Sequence, residues 1–158
     1  MKIVETKPVK DSAVLPGADF ADAWRINGIA VGEDAETIAA RMGKPPAWVA
    51  KLMAIRNLIV APFGLKTRLS KGAKARPGYP FPVLSAQPQR VVMGLDDRHL
   101  DFRLVVEVSV AEGRNLAATA TTYMRTHNLL GKLYLMAVTP FHRRIVPAML
   151  KQAVTAAA

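Results

Sequence analysis

Three side chains in one short stretch have the types and spacing to do chemistry. His99, Asp101 and Arg103 stand at alternate positions in RHLDFRLVVEVSV, the segment from Arg98 to Val110, with Glu107 on the same alternation. In an extended chain, residues i and i+2 share a face about 7 Å apart, so long side chains there can meet. A histidine held by a neighbouring aspartate can act as a general base, and an arginine beside it can hold an anion. If that face lines a cleft, the trio would act on an anionic small molecule. If it faces outward, the same residues are a salt-bridged sheet surface that adds little stability.

The element that must position them has a second face. Leu100, Phe102, Leu104, Val106, Val108 and Val110 fill the other side of the alternation. The pattern predicts a strand of about 40 Å, apolar on one face and mostly charged on the other. Such a strand can hide its apolar face only beneath something large, and the tail can supply it. Leu129 to Ala156 is helical in period, with Leu133, Met136, Val138, Phe141, Ile145, Met149 and Leu150 as its apolar cover. Pro140 falls inside it and Thr139 can cap a restart, so a kink or short break is expected there.

The other segments fit around that pair. Lys2 to Val9 suggests a short edge strand and Ala23 to Ile29 a second strand. Asp34 suits the N-cap of a helix over Ala35 to Met42, closed by Gly43. Pro45-Pro46 opens another helix, on which Trp48, Leu52, Ile55 and Ile59 form a stripe. Val83 to Ser85 and Arg90 to Leu95 read as short strands, with Asp96-Asp97 as a turn. After the hairpin turn at Glu112 to Asn115, Leu116 to Thr126 returns as a strand. Ala118, Ala120, Thr122 and Met124 share one of its faces; Thr119, Thr121, Tyr123 and Arg125 share the other. The sum is an α+β chain. A curved antiparallel sheet grips a long C-terminal helix, and two short helices follow the N-terminal strands.

That arrangement turns His99, Asp101 and Arg103 away from any pocket between sheet and helix. The pocket would be lined by Trp48, Leu100, Phe102, Leu104, Ala120, Met124, Met136 and Phe141, with His127 at its mouth. Such a lining suits an apolar ligand, although the same residues could simply fill one another's space. For His127-Asn128 the plainer reading is a strand-to-helix cap, with Asn128 as N-cap. His142, in TPFHRR, is expected to bond a carbonyl or a carboxylate. The three histidines share no metal-binding spacing, no serine sits in a GxSxG elbow, and no cofactor is expected.

Composition narrows the classes further. A chain of 158 residues is expected to be a single domain, 1–158, with one core. It has no cysteine, which excludes disulfides and thiolate chemistry and fits a cytoplasmic address. MKIVETKPVK has no apolar core of a signal peptide. The longest apolar region, Leu129 to Leu150, is broken by Lys132, His142, Arg143, Arg144 and two prolines, so no membrane span is expected. The net charge is +10, and the stretch 66–82, KTRLSKGAKARPGYPFP, is basic with no acidic residue. It reads as a solvated loop or, over 66–76, as a flap for an acidic partner. Aromatics are not interleaved with the basic residues, which speaks against nucleic acid as the partner.

Three phrases also carry a resemblance: AWVAKLMAIRNLIVAPFGL, GLDDRHLDFRL and THNLLGKLYLMAVTPFHRRIV. With them the chain resembles, from about Asp19 to Leu150, the bacterial family catalogued as domain of unknown function 2867 (DUF2867). The element order resembles the helix-grip fold of the birch-pollen-allergen and lipid-transfer (START/Bet v 1-like, SRPBCC) superfamily. The resemblance implies a sheet wrapped on a helix and no particular activity, because the family has none established. Some similar domains follow a nucleotide-binding oxidoreductase domain. Here no GxGxxG follows a strand, so no dinucleotide site is implied. The expectation is a binding module for an apolar or amphipathic small molecule, and not an enzyme. Its rivals are an activity through His99, Asp101 and Arg103 and an interaction through loop 66–76.

Overall fold

Period-two alternation becomes sheet wherever the sequence shows it. The computed structural model describes residues 1–11, 13–61 and 76–156. Its strands are β1 (Ile3–Thr6), β2 (Phe20–Ile29), β3 (Val83–Gln87), β4 (Arg90–Asp96), β5 (Leu100–Val110) and β6 (Leu116–Thr126). They form one sheet in the order β1-β2-β6-β5-β4-β3, and every neighbouring pair is antiparallel. Helices α1 (Ala35–Arg41) and α2 (Ala47–Val60) lie between β2 and β3 in the chain, and α3 (Leu129–Thr155) follows β6. The expected α+β architecture is the one observed.

The register explains how the inner face is built. β5 and β6 pair without a shift from Leu100↔Thr126 to Val110↔Leu116. One rung across the sheet therefore reads Asp22, Thr122, Leu104, Met93; the next reads Trp24, Ala120, Val106, Val91. Ile26, Met93, Leu104 and Val106 are fully buried against Ile38 of α1 and Leu150 of α3. Asp34 caps α1 as expected, its carboxylate accepting from the Thr37 amide at 2.7 Å.

The tail helix differs from expectation in two ways. It runs unbroken through Pro140 and Pro147. Pro140 is exposed, and the carbonyl it deprives belongs to Met136, also exposed, so water can satisfy that group. Thr139 does not cap a restart; its hydroxyl donates back to the Leu135 carbonyl at 2.5 Å. Second, the buried stripe is Gly131, Tyr134, Val138, His142, Val146, Met149, Leu150, Ala153 and Val154. Leu133 and Met136 lie outside, Met136 being 72% exposed. On α2 the inward residue is Val49, fully buried, with Met53 packed on the core, whereas Trp48 and Ile55 point outward. The Ile59 side chain lies outside the described residues.

The outer face is not a bare charged surface. Between β1 and β2 the chain crosses it, and Leu15 packs on Val105 and Tyr123. The Tyr123 hydroxyl donates to the Val9 carbonyl at 2.6 Å, Arg90 pairs with Asp11, and Arg125 donates to the Pro16 carbonyl at 3.1 Å. Thr126 donates to Asp19 through both its amide and its hydroxyl. The Arg90 hydrogen bond holds the Asp11 carboxyl below its ordinary value. Burial pushes Asp19 up, but the two Thr126 bonds, its own amide and Lys132 together outweigh it and the net shift is downward. A carboxyl depressed in the folded state contributes stability above its unfolded pKa, and that contribution is lost as pH falls through the folded value. Stability in urea is therefore expected to drop below about pH 4, and the drop should be shallower in the double variant Asp11→Asn, Asp19→Asn. Identical acid limbs in the two proteins would contradict this account of the strap.

Among the described residues, no helix is long and apolar enough to cross a membrane.

Candidate functional site

Side chains at i, i+4 on α3 face the sheet, and the two surfaces do not close completely. A cavity of about 300 Å³ remains between them. Leu95, Leu100, Phe102, Leu104 and Met124 wall it from the sheet; Tyr134, Val138, Phe141, His142, Ile145, Val146 and Met149 wall it from α3. Met42, Gly43, Pro45 and Met53 close one side, Pro80 and Phe81 another, and Asp96 and Asp97 stand beside it. Phe81 is held edge-on to Phe102, ring centroids 4.8 Å apart. Residues 76–82 are thus not a free linker: Pro80 and Phe81 are wall. The rest of the basic stretch, 66–75, lies outside the described residues.

Among the mostly apolar walls, His142 belongs to a buried polar pair. His142 Nε2 lies 3.1 Å from Asp22 Oδ1, the two side chains being 8% and 4% exposed. Strand alternation places Asp22 between Phe20 and Trp24 on the face under α3, and helical spacing brings His142 over it. The Trp24 indole N–H reaches the other carboxylate oxygen at 3.4 Å, and Phe20 sets its ring edge to the imidazole at 6.0 Å. An ionised carboxylate only accepts hydrogen bonds, so this contact puts a proton on Nε2. In the neutral ring Nδ1 then carries the lone pair.

Beside Asp22 on the same rung, the Thr122 hydroxyl is buried with no hydrogen-bond partner among the described residues. A sealed, unpaired hydroxyl costs roughly 1–3 kcal/mol. Thr122→Val keeps the shape and the β-branch, and is expected to raise stability by about 1 kcal/mol, read from the urea midpoint. A loss instead would mean that the hydroxyl has a partner.

His99, Asp101 and Arg103 are not brought together. His99 Nδ1 meets the Asn128 side chain at 2.9 Å. Asp101, buried on the outer face, pairs with His127 at 2.9 Å and Arg125 at 3.1 Å. Arg103 pairs with Asp96 at 2.6 Å and donates to the Phe102 carbonyl. The neighbouring strands β4 and β6 and the residues that follow β6 offered each side chain a nearer partner than its own i+2 neighbour.

Of the expected cavity residues, Leu100, Phe102, Leu104, Met124 and Phe141 do line it. Trp48 and Met136 are turned to solvent, and His127 lies on the opposite face with Asp101. Asn128 is the N-cap of α3, accepting from the Gly131 amide at 2.9 Å. His142 does bond a carboxylate, but its partner Asp22 was missed. The helical half of the signal was present, a histidine four places after Val138; Asp22 lies just before the strand expected over Ala23 to Ile29, which in fact begins at Phe20. Among the described residues, no three His, Cys, Asp or Glu side chains cluster as metal ligands would.

Comparison with known proteins adds a family. Among curated proteins nothing matches. Among solved structures the chain is similar to the crystal structure of CalU16 from Micromonospora echinospora, with 13% identity and a TM-score of 0.29 over 84% of this chain and 80% of that one. A likeness that slight carries no argument. The profile of the family described as protein of unknown function, DUF2867, matches residues 14–149, nearly the whole sheet and most of α3. The chain therefore belongs to the DUF2867 family.

Proposed function

We propose that the chain is a binding module of helix-grip type, holding one apolar or amphipathic small molecule between the sheet and α3. The carrying observation is the cavity of about 300 Å³, mostly apolar on its walls, with His142 of the buried Asp22–His142 pair among them. Small-molecule sites run from roughly 300 to 1,000 Å³ with this mixture of wall and anchor, so the cavity suits a compact ligand. The rival reading through His99, Asp101 and Arg103 has no comparable support, since each pairs with a different neighbour on or near the outer face.

Thermal unfolding against fatty acids, sterols and aromatic metabolites tests the proposal. A ligand at one hundred times its Kd stabilises by about 2.7 kcal/mol, which for a chain of this size raises Tm by roughly 5–10 °C. No rise with any compound of such a panel would overturn it.

A further inference from the structure

The chemistry of the ligand's polar end can be read from the buried pair, granted the binding proposal above. With Asp22 ionised, its carboxylate accepts from Nε2–H, and an imidazole in its neutral form then keeps the lone pair on Nδ1. The ring itself lines the cavity, and Nδ1 finds no hydrogen-bond partner among the described residues. The imidazole thus stands among walls such as Leu100, Phe102, Met124 and Val138, with the Tyr134 phenol on the same lining. A lone pair in an apolar chamber is satisfied by a ligand that brings a donor. An anion is the wrong complement, because it would face an unprotonated nitrogen with the Asp22 carboxylate behind it. Asp96 and Asp97 beside the cavity repeat the same sign.

We infer that the cavity selects an apolar molecule bearing a phenolic or alcoholic hydroxyl, which donates to His142 Nδ1 while Asp22 holds the ring's proton on the far nitrogen. His142 is the contact residue; Asp22 is a positioning residue acting through it.

Calorimetric titration of the full chain with four probes tests this: naphthalene, 2-naphthol, 2-methoxynaphthalene and 2-naphthoate. The methyl ether keeps the oxygen and removes the donor. In the wild type, 2-naphthol is expected to bind at least about tenfold tighter than the ether, and the carboxylate more weakly than the phenol. In the double variant Asp22→Val, His142→Phe, which removes both polar partners together, the phenol-to-ether ratio should fall towards one while naphthalene still binds. Equal binding of phenol and ether in the wild type, tighter binding of the carboxylate, or a ratio unchanged in the variant would each overturn the anchor. The first two readings need no variant, so a failure of the variant to fold does not shelter the inference. If naphthalene binds without any preference for the phenol, the anchor alone is wrong. If no probe binds, the anchor is overturned, while the wider binding proposal still answers to its own panel.

Discussion

Replacing Gly131 with alanine is expected to destabilise the protein by about 3 kcal/mol, a large effect for one methyl group. Gly131 is the third residue of α3, and its amide is held by the Asn128 cap. The helix starts hard against the entry to β5, where the His127 amide donates to the His99 carbonyl at 3.0 Å. A Cβ on Gly131 would be driven into that same carbonyl. Neither side can yield cheaply, since one belongs to the sheet and the other to a capped helix end. Relief would lift the first turns of α3, carrying Tyr134 and Val138 away from the cavity. Leu129→Ala, two residues earlier and 72% exposed, is the control and should stay within about 0.5 kcal/mol of the wild type. Urea midpoints measure both, and a loss below about 1 kcal/mol for Gly131→Ala would show that the junction is looser than described.

What the sequence made legible follows the range over which each signal acts. Alternation is local, so the face split of β5 and β6 could be read directly. With it came Leu100, Phe102, Leu104 and Met124 as residues beneath the helix. The phase of α3 was harder, because its buried stripe includes Tyr134 and His142, which an apolar pattern does not count. Without them Leu133 and Met136 looked like cover. The same omission hid the polar pair, whose members stand 120 residues apart. The outer face failed for another reason. Alternation says which residues share a side but not what crosses it, and the connection 7–19 has no periodicity to announce that its Leu15 covers Val105 and Tyr123. For His99, Asp101 and Arg103 alternation left two outcomes open, a joint site or separate pairings, and separate pairings are what the neighbouring strands provide.

The second large effect concerns whether the Asp22–His142 pair belongs to the fold or to a bound molecule. His142→Leu is expected to cost roughly 3–5 kcal/mol, because it strands a carboxylate that is 4% exposed. The long Trp24 contact at 3.4 Å is too weak to replace the lost partner. Removing both groups should behave differently. Asp22→Val, His142→Leu puts a strand-favouring residue in β2 and an apolar one over it, and is expected to recover most of the loss or exceed wild-type stability. A double-mutant cycle from urea unfolding at neutral pH reads the coupling directly, and single and double variants of equal stability would show that the two side chains do not depend on each other. If the double variant is as stable as predicted, packing alone would have been served by two apolar residues at these positions. The pair then earns its place through what it presents to the cavity, since a buried carboxylate and imidazole orient a hydrogen bond that valine and leucine cannot make.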